Sequence, residues 1–498
     1  MRLPSAALSP LSDAIVRGTV RRNAYFDSVT LLQVTAAVGA LPGVLDAALV
    51  MATELNCEVL RDSGLLVGDA ATAGPNDLII AVRAGDSSAA DAGLQAAEAL
   101  LAERRAPASE SGGAAQQPAR TIGSALRRQS DANVAVISVP GPYAAAEARQ
   151  ALAAGLHVFL FSDNVSIEDE IELKRQARDL GLLMMGPDCG TAIINGVGFG
   201  FANVVRHGHI GVIGASGTGV QEVTTLLDRA GLGISHAIGC GGRDLLQDVG
   251  AITTLQALEL LGDDPATEAI VLISKPPAPE VAERVLRAAA ATGKPIVACL
   301  LGAQHEAPPG VDVVSNLYQA ARVAAGSTGS WPVLTKEQLP RVRRQPGQDQ
   351  VHGLYCGGTL CDEAELVLGR DHQFVDFGDD RYTRGRAHPM IDPSLRHQAI
   401  MQAADDPRVA IVLLDVVLGF GSHPDPAGLL APVVRQAVDR AAHAGRQLTM
   451  LAHVVGSDRD PQGLTSQEAT LRSAGVHLFG SNHHAAVTAG LLLEQSGA

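Results

Sequence analysis

The chain has few lysines and few aromatic side chains. Among 38 cationic residues only Lys174, Lys275, Lys294 and Lys336 carry an ammonium group, and aromatics make up 3% of the composition. A general preference for arginine explains the scarcity, but it makes each lysine worth placing. Six cysteines (Cys57, Cys189, Cys240, Cys299, Cys356 and Cys361) are scattered over 498 residues, which excludes a disulfide framework. Cys356 and Cys361 form the one close pair, and no further Cys/His cluster joins them, so no zinc is expected. No uninterrupted apolar run reaches about 18 residues, so no membrane span is expected. The opening MRLPSAALSPLSDAIVRG lacks a continuous apolar core, and no signal peptide is read there. A net charge of −15 leaves no basic field for nucleic-acid phosphates or an anionic membrane. A soluble cytoplasmic protein is expected.

Abundant Gly, Ala, Val and Leu fill the space these absences leave. A chain that is 46% hydrophobic and 18% charged is not disordered, and 53 glycines favour α/β layers joined by glycine-rich turns. At roughly 100–200 residues per domain, the length suggests about three or four domains. Linker-like stretches at 106–120 and 326–350 separate segments with regular periodicity. Residues 20–105 read as a small ferredoxin- or ACT-like α+β domain, with AYFDSV, VLDAALVMA and DLIIAVRA as strands. Residues 121–206, 207–330 and 351–498 each alternate apolar strands with helices, which predicts right-handed crossovers and parallel sheets. The fold class expected is α/β, with several doubly wound domains in series.

In such sheets, ligands sit beyond the carboxyl ends of the strands, where the glycine-rich loops fall. GASGTG (214–219) joins the strand HIGVIG to a helix. Its glycines let the backbone approach an anion, Ser216 and Thr218 add hydroxyls, and the helix start aims free N–H groups at the same point. That favours a phosphate or carboxylate; a plain tight turn is the alternative. No GK[ST] follows, so it is not a Walker A loop. GFGSHPDPAG (419–428), with Gly419, Gly421 and Ser422, resembles it in character. In GCGGRD (239–244), Arg243 reads as an anion ligand or as a surface arginine beside a turn. SKPPAP (274–279) cannot be helical and sets Lys275 at a strand's carboxyl end, as an active-site cation or a solvated loop residue. DDRYTRGRAHPMID (379–392) gathers Arg384, Arg386 and His388 among acids. Such a loop is either simply solvated or grips a carboxylate through forked guanidinium donors. For His388, His423 and His453, each following a strand, a hydrogen-bonded structural role is the first reading.

Longer segments resemble a known family. VISVPGPYAAAEARQALAAGLHVFLFSDNVSIEDE and GLLMMGPDCG resemble the end of the CoA-binding domain of succinyl-CoA synthetase α subunits, and GHIGVIGASGTGVQE resembles a segment further along that subunit. FVDFGDD and AIMQAADDPRVAIVLLDVVLGFGSHPD resemble the ligase domain of the β subunit. YCGGTLCDEAEL, GDDRYTRGRAHPMID and SKPP are similar to segments of the FdrA family of acyl-CoA-synthetase-like proteins, of which the chain is identified as a member. The resemblance spans about residues 131–498. It implies a Rossmann-like CoA-binding-type domain and two flavodoxin-like domains. It also implies a phosphate cradle made by Ser216, Gly217, Thr218 and Gly219 facing Gly419, Gly421 and Ser422, with Lys275, Arg243, Arg386 and His388 around the substrate.

Three departures qualify the inheritance. The stretch RTIGSALRRQSDANVAV lacks the family's glycine-rich CoA loop, so no cofactor is counted as expected. The phosphohistidine segment is replaced by QHEAPPGVDVV, so His305 does not inherit that role. The ATP-grasp portion has no counterpart. The family's association with purine-nitrogen catabolism implies a subunit of an oxamate carbamoyltransferase, exchanging carbamoyl phosphate and oxamate with oxalurate and phosphate. Separate partner subunits and a homo-oligomer are implied with it; no nucleic acid, membrane or metal is. The alternatives are an ADP-forming acyl-CoA synthetase that takes its ATP-grasp from a partner, and a non-catalytic assembly subunit.

Overall fold

The structure is a computed structural model that describes residues 14–494, apart from 25, 27, 54–55, 58–59, 62, 106–118, 303–305, 336–338 and 384–386. His305, Arg384 and Arg386 therefore lie outside the described residues. The chain divides into two compact units, residues 1–118 with 383–387, and 119–382 with 388–498.

In the first unit a three-stranded antiparallel sheet runs Ile15–Arg21, Leu78–Ala84, Val44–Met51. Helices Ser28–Gly39 and Ser87–Arg105 contribute Leu31, Val34, Val38, Ala97 and Leu101 to its core. The first strand differs from the one predicted. Within AYFDSV, Ala24 and Phe26 lie outside any strand and Ser28 already opens the helix, while Asn23 turns the chain at φ +50. Asp77 fixes that turn by accepting the Asn23 N–H at 2.9 Å and pairing with Arg22 at 2.7 Å.

In the second unit the strand–helix alternation produces parallel sheets. Val134–Ile137, His157–Leu160 and Met184–Met185 form one of three strands. A second sheet runs Val311–Val314, Ile296–Leu300, Ala269–Ser274, His207–Ala215, Ile234–Gly239. The antiparallel hairpin Thr191–Ile194 and Val197–Gly200 extends it to seven strands. The third sheet runs Gln373–Asp376, Gln350–Tyr355, Val409–Val417, Thr449–Val455, Val476–Phe479, all parallel. Counted in chain order, the parallel strands of both larger sheets follow the sequence 2-1-3-4-5. This is the flavodoxin-like order, and it opens a crevice where the winding reverses, between strands 1 and 3.

Val409–Val417 is buried at every position, as expected of a parallel strand covered on both faces. One core joins the two larger sheets. It draws Val223 and Leu227 from helix Gly217–Arg229, Leu360 and Ala364 from helix Gly358–Leu368, and Ala485 and Ala489 from helix Asn482–Glu494. Among the described residues, no helix is long and apolar enough to cross a membrane.

Candidate functional site

The loops that follow strand 1 of each larger sheet face each other. Ser216 caps the Gly217 helix, its Oγ accepting the Gly219 N–H at 2.9 Å. The Gly358 helix begins after Gly357 with no side-chain cap, which leaves its first-turn N–H groups without that partner. Ser216 Oγ hydrogen-bonds Thr359 Oγ1 across the two halves. The approach requires small residues, because a Cβ on Gly357 would lie 2.8 Å from Thr218 Cγ2. Two helix N-termini, each carrying about half a positive charge, therefore converge. Asp415 fixes the second loop from below. Its buried carboxylate accepts the Cys356 N–H at 2.9 Å and the Gly357 N–H at 2.8 Å, and is paired with Arg396 at 3.0 Å.

The facing loop expected from sequence was Gly419–Ser422, and the structure corrects this. Gly419, at φ +107, packs on the Ala202 carbonyl, and Gly421, at φ +80, packs on the Phe201 ring. Gln462 holds the turn, donating to the Gly419 carbonyl at 2.8 Å. The following helix starts only at Pro426, capped by Asp425, so Gly419, Gly421 and Ser422 do not open it. The physical reason lies in strand order: the Gly358 helix follows strand 1 of its sheet, as the Gly217 helix does, whereas Gly419 follows strand 3. One sequence signal marked the true pair. Gly217, Thr218 and Glu222 recur at identical spacing as Gly358, Thr359 and Glu363.

Lys275 lies at the carboxyl end of Ala269–Ser274, in the crevice. Its ammonium pairs with Asp362 at 3.0 Å, and its side chain is 42% exposed. Burial pulls its pKa down, but Asp362 and then Asp376 outweigh it and hold the ammonium charged. Asp376, which sequence reasoning passed over, ends the strand Gln373–Asp376, and its Oδ1 accepts the Gly378 N–H at 2.8 Å. A Cβ on Gly358 would overlap Asp376 Oδ2 and lie 3.1 Å from Lys275 Nζ. Burial pushes the Asp376 carboxyl up to about 6 against the pull of Gly378 and Lys275.

His388 joins the same neighbourhood. A Cβ on Gly378 would lie 2.8 Å from His388 Nε2 and 3.0 Å from Asp376 Oδ1. Its ring sits 5.1 Å from that of Phe201, and Nδ1 accepts the Met390 N–H at 3.3 Å, which assigns the proton to Nε2. Burial, then the Arg396 charge, lowers its pKa to about 4, so the ring is neutral near pH 7.

Asp188, also missed, follows the cis Gly186–Pro187 bond at φ +54. Its side chain reaches solvent, yet the surrounding protein, with Asp163 and Asp380, pushes its carboxyl up to about 7 against Arg243 and Lys275. Arg243 is committed within the protein, pairing with Glu170 at 2.8 Å and donating to the Val165 carbonyl at 2.8 Å. Behind it, buried Lys174 bridges Glu170 at 2.7 Å and Asp244 at 2.6 Å. Ser216–Gly219, Lys275 and His388 are thus brought together, Arg243 stands at the edge as a structural tie, and Arg386 is not described.

Behind the helix starts, Glu222 pairs with His453 at 2.8 Å and accepts the Asn482 N–H at 3.2 Å. Glu363 accepts from Leu317 N–H and Asn482 Nδ2, each at 2.8 Å. Burial pushes Glu363 up to about 7. His453 is a structural histidine, as first read. A separate cavity of about 360 Å³, lined in part by Pro332, Arg472, His477 and His484, includes none of the crevice residues. Among the described residues, no group of three or more His, Cys, Asp or Glu is placed to hold a metal.

Residues 205–302 match the family described as CoA binding domain, and residues 354–492 match the CoA-ligase family. Residues 14–118 match the family described as AllF, heavy metal-associated domain. That stretch holds a single cysteine, Cys57, and no histidine, and burial raises the Cys57 thiol, so its residues do not fit a thiolate-bound heavy metal. The chain is 42% identical over 508 residues to the uncharacterized protein YahF of Escherichia coli, covering 94% of this chain and 96% of that one. It is 31% identical over 232 residues to the succinate–CoA ligase (ADP-forming) subunit alpha-2 of Trichomonas vaginalis, covering 44% of this chain and 72% of that subunit. An alpha 2 subunit of the same ligase from Archaeoglobus fulgidus is 29% identical over 209 residues, covering 41% of this chain and 68% of that one.

Proposed function

Because the chain belongs to the FdrA family of acyl-CoA-synthetase-like proteins, within the succinyl-CoA synthetase superfamily, we propose that its crevice binds a phosphoryl anion across the starts of the Gly217 and Gly358 helices and exchanges it for an acyl acceptor. The observation that carries this reading is the Ser216–Thr359 contact, which joins two helix N-termini from two sheets at one point. The reaction proposed is the carbamoyl exchange between carbamoyl phosphate plus oxamate and oxalurate plus phosphate. The oxamate nitrogen attacks the carbamoyl carbon, the C–O bond to phosphate breaks, and the proton lost by the nitrogen ends on phosphate. The helix starts stabilise the leaving anion as its charge develops. Lys275 neutralises part of that charge, and the neutral His388 Nε2–H polarises a carbonyl. Holding both reactants in line supplies much of the rate without a protein nucleophile.

A second reading, an ADP-forming acid–thiol ligase working with a separate ATP-grasp subunit, is favoured by the CoA-type family matches at 205–302 and 354–492. Against it, the only glycine between Arg120 and Asn133 is Gly123, inside the five-residue helix Ile122–Leu126, so that stretch is not a glycine-rich loop. Ligand-induced stabilisation of the full chain separates the readings. Raised melting temperatures with carbamoyl phosphate, phosphate or oxalurate, and none with CoA or ATP, are expected for carbamoyl exchange. CoA stabilisation would favour the ligase, and no stabilisation by any of them a non-catalytic assembly role.

A further inference from the structure

On that reading of the crevice, we infer that Asp376 is its acid–base residue: its carboxyl carries a proton to the phosphoryl group seated on the Gly358 helix and takes one back from the attacking nitrogen. Three observations place it there. Oδ2 occupies the space beside Gly358, the first residue of an uncapped helix, where an incoming anion would lie. Oδ1 is already occupied by the Gly378 N–H at 2.8 Å, so Oδ2 is the oxygen left to carry a proton. A carboxylate at that spot would repel a dianion, whereas a neutral carboxyl donates a hydrogen bond to it. Burial is what keeps the protonated form within reach near neutrality, at a pKa of about 6.

Of the carboxyls around the crevice, Asp376 is the one beside the Gly358 helix start; Asp188, pushed up to about 7, also titrates near neutrality but interacts with Arg243 as well as Lys275 and is not the group found against Gly358. Lys275, from the end of Ala269–Ser274, is paired with Asp362 of the Gly358 helix. Cys361 of that helix is a thiol pushed well above the ordinary range by burial. Asp415, from Val409–Val417, is consumed by two N–H groups and Arg396. Asp379 is paired with Arg381 at 2.9 Å, and His388 is neutral. In the exchange, the Oδ2–H proton passes to the departing phosphate oxygen as the C–O bond breaks. The proton released as the N–C bond forms then restores the carboxyl, so no net proton is consumed.

Sulfate is the probe, because its charge is constant between pH 5 and 8. Its affinity for the full chain, measured calorimetrically, is expected to fall about 30-fold from pH 5 to 7.5, the loss that a required proton with a pKa near 6 produces. Asp376→Asn should bind sulfate with the wild-type affinity at pH 5 and hold it across the range. Retention of the wild-type pH dependence in Asp376→Asn would overturn the assignment while leaving the anion site standing. Absence of sulfate binding to the wild type at any pH would instead remove the phosphoryl reading, and the acid with it. A measurement on the wild type alone guards against a variant that fails to fold. Sulfate binding in two buffers of different ionisation enthalpy should take up close to one proton per site at pH 7.5, and no uptake would sink the proposal.

Discussion

Lys275 shares its charge with Asp362 and Asp376, so its removal takes away the crevice's cation without opening a core. Lys275→Met is expected to weaken sulfate binding by about 10–100-fold, the scale of one charge-assisted hydrogen bond. The variant should unfold within about 1 kcal/mol of the wild type, as for other partly exposed pairs. Lys275→Arg should restore affinity only in part, since a forked guanidinium replaces a compact ammonium poorly. Asp415 behaves oppositely. It is fully buried, and Asp415→Ala strands Arg396 and the Cys356 and Gly357 N–H groups. Urea unfolding should show a loss of about 3–5 kcal/mol, the cost of breaking a buried pair. Glu363 sets a pH dependence. Its folded pKa of about 7 lies above the unfolded value, so its proton is bound more tightly in the folded chain. The stability it contributes is complete below about pH 4 and is lost as pH rises toward 7. Urea titrations at pH 5 and 7 should therefore give a smaller difference for Glu363→Gln than for the wild type.

At the scale of elements, the site depends on how closely two helix starts approach. Gly357→Ala places a methyl against Thr218 and Asp415, so the helices must separate. Sulfate affinity is expected to drop at least as far as in Lys275→Met, and a wild-type binding isotherm would show that the approach does not matter. The strands, their crossovers and the loops at their carboxyl ends were legible in the sequence, because alternating apolar runs and glycine-rich turns are local signals. So was Lys275, which the prolines after it fix at a strand end. The pairing of the helix starts was not legible, since Ser216 meets Thr359 across 143 residues and local periodicity carries no such information. Asp376 hid inside the apolar run QFVDFG, where a single acid at a strand's last position reads as an ordinary terminus. The first strand was misplaced because AYFDSV is rich in strand-forming side chains, and Ala24 and Phe26 reach the core from outside any strand.

For the second unit as a whole, the ties between the two larger sheets are polar as well as apolar. Arg229 donates to the carbonyls of Val454 at 2.6 Å and Gly456 at 2.9 Å, and Asn203 donates to Asp460 at 2.8 Å. With Glu222 and His453 buried between them, neither sheet can open without stranding charged groups of the other. Amide exchange should accordingly show common protection for Ile210–Gly214 and Ile411–Leu414; separate exchange classes would show two independent folding units. The Ser216–Thr359 contact has a further consequence, for stoichiometry. When two helix starts sit on different polypeptides, a cell must make both in matched amounts, and dilution parts them. Here one translation product carries both, at a local concentration on the order of millimolar even in a dilute solution. The crevice therefore does not depend on an encounter, and its half-life is that of the fold.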